Sequence, residues 1–115
     1  MIEEVIRNKL VSEMGDIVFL EHPEITRPQF VVMERIGGAE HNHLSSCMMA
    51  FQSYGYTLYY AAQLNEYLKY CVRRLVELPE IAAVKLNSDY NFTNEETKEY
   101  RYQAVFEINY YDRFL

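Results

Sequence analysis

Glu40, His41 and His43 form the densest group of possible metal ligands in the 115-residue sequence. In an extended segment, the His-x-His spacing can present two imidazoles to one metal ion. The third histidine, His22, is distant in sequence, and no further ligand is spaced to complete a tetrahedral site. These residues therefore predict a polar loop without a cofactor or metal. A small ligand- or metal-binding module stays open as an alternative function.

Cys47 and Cys71 are the two possible thiol nucleophiles. A reactive thiolate needs a neighbouring base and an electropositive setting, whereas both cysteines lie among apolar residues. We expect two buried free thiols rather than a disulfide, because cytoplasmic proteins keep cysteines reduced. The Gly37-Gly38 pair lacks the spacing of a dinucleotide or phosphate loop. The sequence therefore predicts a protein that is not an enzyme.

The composition restricts the possible classes of partner. The chain carries 11 Lys and Arg against 17 Asp and Glu, for a formal net charge of -6, and half of its residues are hydrophobic. This apolar content supports one domain over residues 1–115. The acidic balance opposes direct nucleic-acid recognition, which needs clustered cations. Charged residues interrupt the first ten positions, and no apolar run reaches membrane-spanning length, so we expect a cytoplasmic, soluble chain.

The spacing of apolar residues predicts the order α-β-β-β-α-β-β. A helix over 2–14 ends at Gly15, and a long helix begins after a Thr57 cap and ends near Pro79. The predicted strands cover 17–20, 30–36, 44–54, a segment within 81–92, and 100–110. Gly37-Gly38 predicts a turn or flexible loop after the second strand, and the polar run 93–97 predicts a hairpin turn.

The alternation within the strands predicts how these elements pack. Odd and even positions of 44–54 both carry apolar residues, so we expect burial on two sides of that strand, with a partner as one possible cover. Two helices cannot cover both faces of a five-stranded sheet. We therefore predict an α+β fold with a mainly antiparallel sheet, both helices on one face, and the other face left for solvent or a partner.

Tyrosine is the abnormal component of the composition, with 11 Tyr, 6 Phe and no Trp. Tyrosine is enriched in protein–protein contacts, although some of these rings could line the edge of the core. Arg73 and Arg74 complement the negative end of the second helix and could also meet an acidic neighbour. The candidate oligomer or partner interface comprises Tyr54, Tyr56, Tyr59, Tyr60, Tyr67, Arg73, Arg74, Tyr100, Tyr102 and Tyr110. The candidate loop contacts are Glu40, His41, His43, Glu95 and Glu96.

Two segments of the chain resemble a family of small proteins from tailed phages and prophages. They are residues 32–38 (Val-Met-Glu-Arg-Ile-Gly-Gly) and 51–66 (Phe-Gln-Ser-Tyr-Gly-Tyr-Thr-Leu-Tyr-Tyr-Ala-Ala-Gln-Leu-Asn-Glu). The family comprises the head-tail connection proteins described as minor capsid or tail terminator (tail completion) proteins. Its order of helices and strands also resembles the order predicted above.

The resemblance implies a non-enzymatic virion protein that forms a hexameric ring at the head-tail junction. Such a ring ends the tail tube and joins it to the head connector, so the implied partners are other copies, the tail tube protein and connector proteins. A head-side connector or adaptor is the alternative within the same virion. The implied location is the virion, with assembly in the host bacterial cytoplasm.

Overall fold

A computed structural model of the chain describes residues 1–24, 27–41 and 44–112, with the side chain of His41 excluded. Two helices and five strands follow one another in the predicted order. Their bounds are α1 Ile2–Met14, β1 Val18–Phe19, β2 Phe30–His41, β3 Leu44–Gly55, α2 Leu58–Arg73, β4 Ile81–Asn91 and β5 Tyr100–Tyr111. A short 3-10 helix, Arg74–Glu77, continues α2 toward Pro79.

The five strands form one sheet with the spatial order β1-β2-β3-β5-β4. Only the two-residue strand β1 runs parallel to its neighbour, and the other three pairings are antiparallel. The central strand β3 pairs along its whole length with β5, from Leu44 opposite Tyr111 to Gly55 opposite Tyr100. The predicted α+β fold with a mainly antiparallel sheet is confirmed.

Both helices pack on the same face of this sheet, as predicted from the presence of only two helices. The apolar stripe of α1 and that of α2 lie against the odd-numbered residues of β3 and the even-numbered residues of β5. Fully buried members of this core include Ile6, Leu10, Met49, Phe51, Leu68 and Phe106. The core also holds the two cysteines, which are free thiols.

The β3–α2 junction is fixed by a cap and a close approach. The Thr57 hydroxyl accepts a hydrogen bond from the Tyr60 backbone N–H at 3.2 Å, so the predicted N-cap is confirmed. A Cβ placed on Gly55 would lie 2.5 Å from the backbone nitrogen of Ala61. Glycine therefore lets the helix start directly over the end of the strand.

The Gly37-Gly38 pair is not a turn, and the polar loop predicted at Glu40, His41 and His43 is wrong where the structure describes it. β2 continues through both glycines to His41, which pairs with Leu44. The register shifts once, between Arg35 and Gly37, leaving Ile36 as a bulge. A Cβ on Gly38 would lie 2.8 Å from the Ser46 carbonyl oxygen. This glycine therefore serves a close approach within the hairpin.

The predicted β4–β5 hairpin is confirmed. The strands pair from Ile81 opposite Tyr110 to Asn91 opposite Tyr102, and an isolated bridge joins Asn94 to Glu99. The polar turn between them contains Lys98 at a φ of 58°, a left-handed conformation. Across the described residues, no helix has the length and apolar character needed to span a membrane.

Candidate functional site

Five exposed tyrosines form a surface on α2 and the turn before it. This α2 tyrosine surface comprises Tyr56, Tyr59, Tyr60, Tyr67 and Tyr70, whose residues are between 45% and 68% exposed. The opposite side of α2 supplies Leu64, Leu68 and Val72 to the core. The helical period therefore separates the two sets, and the large rings are left facing solvent.

Contacts within the molecule hold several of these rings in place. The Tyr67 hydroxyl donates to the Glu13 carbonyl at 3.0 Å, which ties α2 to the end of α1. The Gln63 amide donates to the Tyr59 hydroxyl at 2.9 Å, and the Tyr59 and Tyr60 rings meet edge to face. An ordered aromatic surface loses little side-chain entropy when it binds a partner.

A small ionic network borders this surface where α1 and α2 end. Arg74 contacts Glu13 at 3.4 Å and Glu77 at 3.3 Å, and Lys9 contacts the same two carboxylates. Arg74 also lies over the Tyr70 ring. The hydrogen bond with Arg74 lowers the pKa of Glu77. Arg74 is therefore engaged within the chain. The neighbouring Arg73 is exposed, and its guanidinium lies 6.0 Å from the centroid of the Phe106 ring.

Four other candidate tyrosines are less exposed to solvent and so less able to contact a partner. Tyr54 is 3% exposed and Tyr110 is 5% exposed, so the structure removes both from the contact surface. Tyr100 and Tyr102 are half-buried on the helix-facing side of β5. The clustering of tyrosines in the sequence located the α2 surface, but it could not separate exposed rings from those that complete the sheet.

A chain of hydrogen bonds crosses the face of the sheet that lacks helices. The Arg101 guanidinium donates to the Tyr54 hydroxyl at 2.9 Å, and that hydroxyl donates to Gln52 at 3.2 Å. Gln52 donates to Gln103 at 2.8 Å, and Gln103 donates to the Tyr90 hydroxyl. These partners satisfy polar groups on a face that is only partly covered. No sequence pattern indicates this pairing, because it depends on the strand order.

His22 lies at one end of this chain of hydrogen bonds. Its Nε2 is 2.8 Å from Glu99 Oε2, and its Nδ1 is 2.8 Å from the Pro23 carbonyl oxygen. The ring meets Phe30 and Tyr54 edge to face, with centroid distances of 5.2 and 5.3 Å. The hydrogen bond with Glu99 raises the pKa of His22. This ion pair fastens the segment before β2 to the turn before β5.

An open cleft of about 420 Å³ lies beside His22, between the start of β2 and the β4–β5 turn. Phe30, Tyr54, Tyr56 and Tyr100 contribute aromatic walls, and Arg27 and Lys98 contribute cations. The cleft extends the aromatic character of the α2 tyrosine surface around one end of the sheet, because Tyr56 belongs to both.

The candidate loop contacts lie at opposite ends of the sheet. Glu40 is exposed near the end of β2, whereas Glu95 and Glu96 are exposed in the β4–β5 turn. His43 and the side chain of His41 lie outside the described residues. Among the residues that are described, no three His, Cys, Asp or Glu side chains come together as metal ligands.

The two thiols are held in their protonated form. Burial raises the pKa of Cys47 to about 11, and burial also raises the pKa of Cys71. A protonated thiol is a poor nucleophile and a poor metal ligand. The arrangement as a whole therefore favours surface contacts over chemistry at these cysteines.

A scan against models of known protein families and a search of curated protein sequences each gave no match.

Proposed function

We propose that this chain is a non-enzymatic structural protein of a tailed phage or prophage. It assembles into a ring at the neck, ends the tail tube and joins the tube to the head connector. Its partners are further copies of the chain, the tail tube protein and the connector proteins. It reads no nucleic-acid sequence and needs neither a membrane nor a cofactor.

The α2 tyrosine surface is the observation that supports this proposal most strongly. A monomeric domain seldom leaves so many large rings exposed on one helix, because each ring could lower the free energy by leaving water. Tyrosine combines apolar area with a hydroxyl that finds a partner at a polar rim. Such a surface suits a lasting contact with another protein subunit.

The length of the sheet supports a joining role. The molecule extends 44 Å along its long axis and 24 Å along each of the others. The β2–β3 hairpin lies at one end of the sheet, and the acidic β4–β5 turn lies at the other. In a heterologous ring, the two ends of each subunit can contact different partners while the sides contact neighbours.

The contact role is tested by removing two exposed rings. We expect the double substitution Tyr59→Ser and Tyr70→Ser to keep the fold and to weaken both self-assembly and capture of the tail tube protein. Light scattering and a pull-down with purified tube protein measure the two effects. Tyr90→Ser is the matched control, because Tyr90 is 41% exposed on the opposite side of the sheet. Equal binding by all three proteins would contradict the proposed role of this surface.

A further inference from the structure

The outer edge of β2 is open along its second half. β1 pairs with β2 only at Val31 and Val32, where the Val31 N–H donates to the Ile17 carbonyl at 2.8 Å. No other strand within the described ranges lies against β2 on that side. Residues 34–40 are all exposed. Residues 34–41, the β2 edge, therefore present backbone N–H and C=O groups to solvent.

The edge of β4 at the other side of the sheet is better protected. β4 contains two register shifts, between Ile81 and Ala83 and between Leu86 and Ser88, and it carries an exposed Lys85. Bulges and lysine are devices that discourage pairing with a further strand. The β2 edge has one bulge, at Ile36, and no lysine. In the β2 edge, Gly37, Gly38 and Ala39 leave room for another backbone to approach.

The β2 edge carries a cation, Arg35, and an anion, Glu40, placed so that the edges of two copies can be complementary in charge. Arg35 pairs with Met49, and Glu40 pairs with Ser45, so both side chains lie on the helix-facing side of the sheet. Neither makes an ion pair with any residue that the structure describes. Because Ile36 is a bulge, the two side chains lie symmetrically about Gly38. Arg35, Gly38 and Glu40 pair with Met49, Cys47 and Ser45, at equal steps of two residues along β3.

We propose that the β2 edge binds the same edge of a second copy as an antiparallel pair centred on Gly38, so that Gly38 of one copy lies opposite Gly38 of the other. This arrangement places Arg35 of each copy opposite Glu40 of the other, on the same side of the joined sheet. Main-chain hydrogen bonds supply affinity, and the two ion pairs select the register. Because the pairing begins beyond Val32, the β1 strands lie outside the overlap.

The contact is isologous, because the same surface is used by both copies, and it closes as a dimer. It differs from the heterologous contacts of a ring and stands whether or not a ring forms. If the chain also forms rings, this dimer contact would either join one ring to another or have to dissociate before a ring assembles.

Charge reversal tests the proposal. The predicted dimer has twice the chain mass of 13.7 kDa, which sedimentation equilibrium can measure. Arg35→Glu and Glu40→Arg each place like charges opposite one another twice, so each should weaken the dimer about tenfold. The double variant restores both pairs with reversed polarity and should recover most of the affinity. Glu96→Arg is the control, because it changes the net charge as Glu40→Arg does but lies in the β4–β5 turn.

Hydrogen exchange locates the contact independently. Amides within 35–40 should become more protected as the protein concentration rises, while those of the β4 edge should not change. A chain that stays monomeric at every concentration, a dimer that tolerates both single reversals, or protection confined to β4 would each overturn the proposal. Pairing of this edge with a different protein, and not with a second copy, would overturn it as well.

Discussion

Lys69 is a residue of α2 that lies on the helix-facing side of the sheet, and its side chain is only 9% exposed. Its ammonium group contacts Asp89 of β4 at 2.5 Å and Glu66 at 2.7 Å, and Asn65 donates to the other Asp89 oxygen. Burial acts to lower the pKa of Lys69, but the hydrogen bonds with these carboxylates outweigh it and raise the pKa. Asp89 therefore fastens α2 to an edge strand.

Asp89→Asn should destabilise the protein, because it leaves a buried ammonium without its closest counter-charge. We expect the free energy of unfolding to fall by about 2 kcal/mol. Urea denaturation followed by circular dichroism measures this loss. The control is Glu66→Gln, whose side chain is 73% exposed and should cost about 0.5 kcal/mol or less. An equal loss in both variants would contradict the assigned role of Asp89.

The His22–Glu99 pair predicts a dependence of stability on pH. Both ring nitrogens face oxygen acceptors, so the doubly protonated ring satisfies both contacts. The pKa of His22 is raised above its ordinary value of 6.5, so the folded chain binds this proton more tightly than the unfolded chain. The stabilisation is fully present below pH 6.5 and is lost as the pH rises through the raised pKa.

Glu99→Gln should therefore return the imidazole pKa toward 6.5 and remove the extra stability found at mildly acidic pH. Nuclear magnetic resonance titration of the His22 ring gives the pKa, and chemical denaturation at several pH values gives the stability. If His22 of the unaltered protein titrates at or below 6.5, the ion pair does not form as described.

Sequence reasoning at the scale of single residues succeeded where the cause was local. The Thr57 cap and the Gly15 helix stop depend only on adjacent backbone, and both were predicted correctly. The contacts of His22 and Lys69 could not be predicted, because they join residues 77 and 20 positions apart. Those contacts require the strand order, which periodicity does not supply.

At the scale of elements, Gly55 controls how closely α2 approaches the end of β3. Gly55→Ala should reduce the free energy of unfolding by about 2 kcal/mol, because the new methyl group would meet backbone atoms of Tyr60 and Ala61. Gly37→Ala is the control, since its Cβ would come no nearer than 4.0 Å to Met48. Thermal unfolding of both variants tests this difference, and equal melting temperatures would contradict it.

Gly37 and Gly38 show why the end of β2 was predicted wrongly. Gly37-Gly38 is typical of a turn, yet β3 supplies a pairing partner that keeps the segment extended to His41. Local propensity favoured the turn, and the ladder of hydrogen bonds with β3 overrode it. The long helix and the final strand were predicted well, because each has an uninterrupted period of its own.

At the scale of the whole molecule, the number of helices predicted that they cover only one face of the sheet, and tyrosine clustering pointed to the rings that are exposed on α2. The open face could not be anticipated in detail, because Gln52 and Gln103 meet only after β3 and β5 pair. The full β2 edge was also hidden, since the strand was predicted to end at Ile36, whereas β2 continues to His41.

Electron microscopy of the purified protein mixed with tail tubes tests the central claim most directly. We predict rings of this chain seated at one end of each tube, with binding of the head connector on the ring's other side. The Tyr59→Ser, Tyr70→Ser variant should leave tube ends bare, whereas Tyr90→Ser should not. Tubes that never carry the chain at their ends, under conditions where connector and tube are both competent to join, would contradict the proposed function.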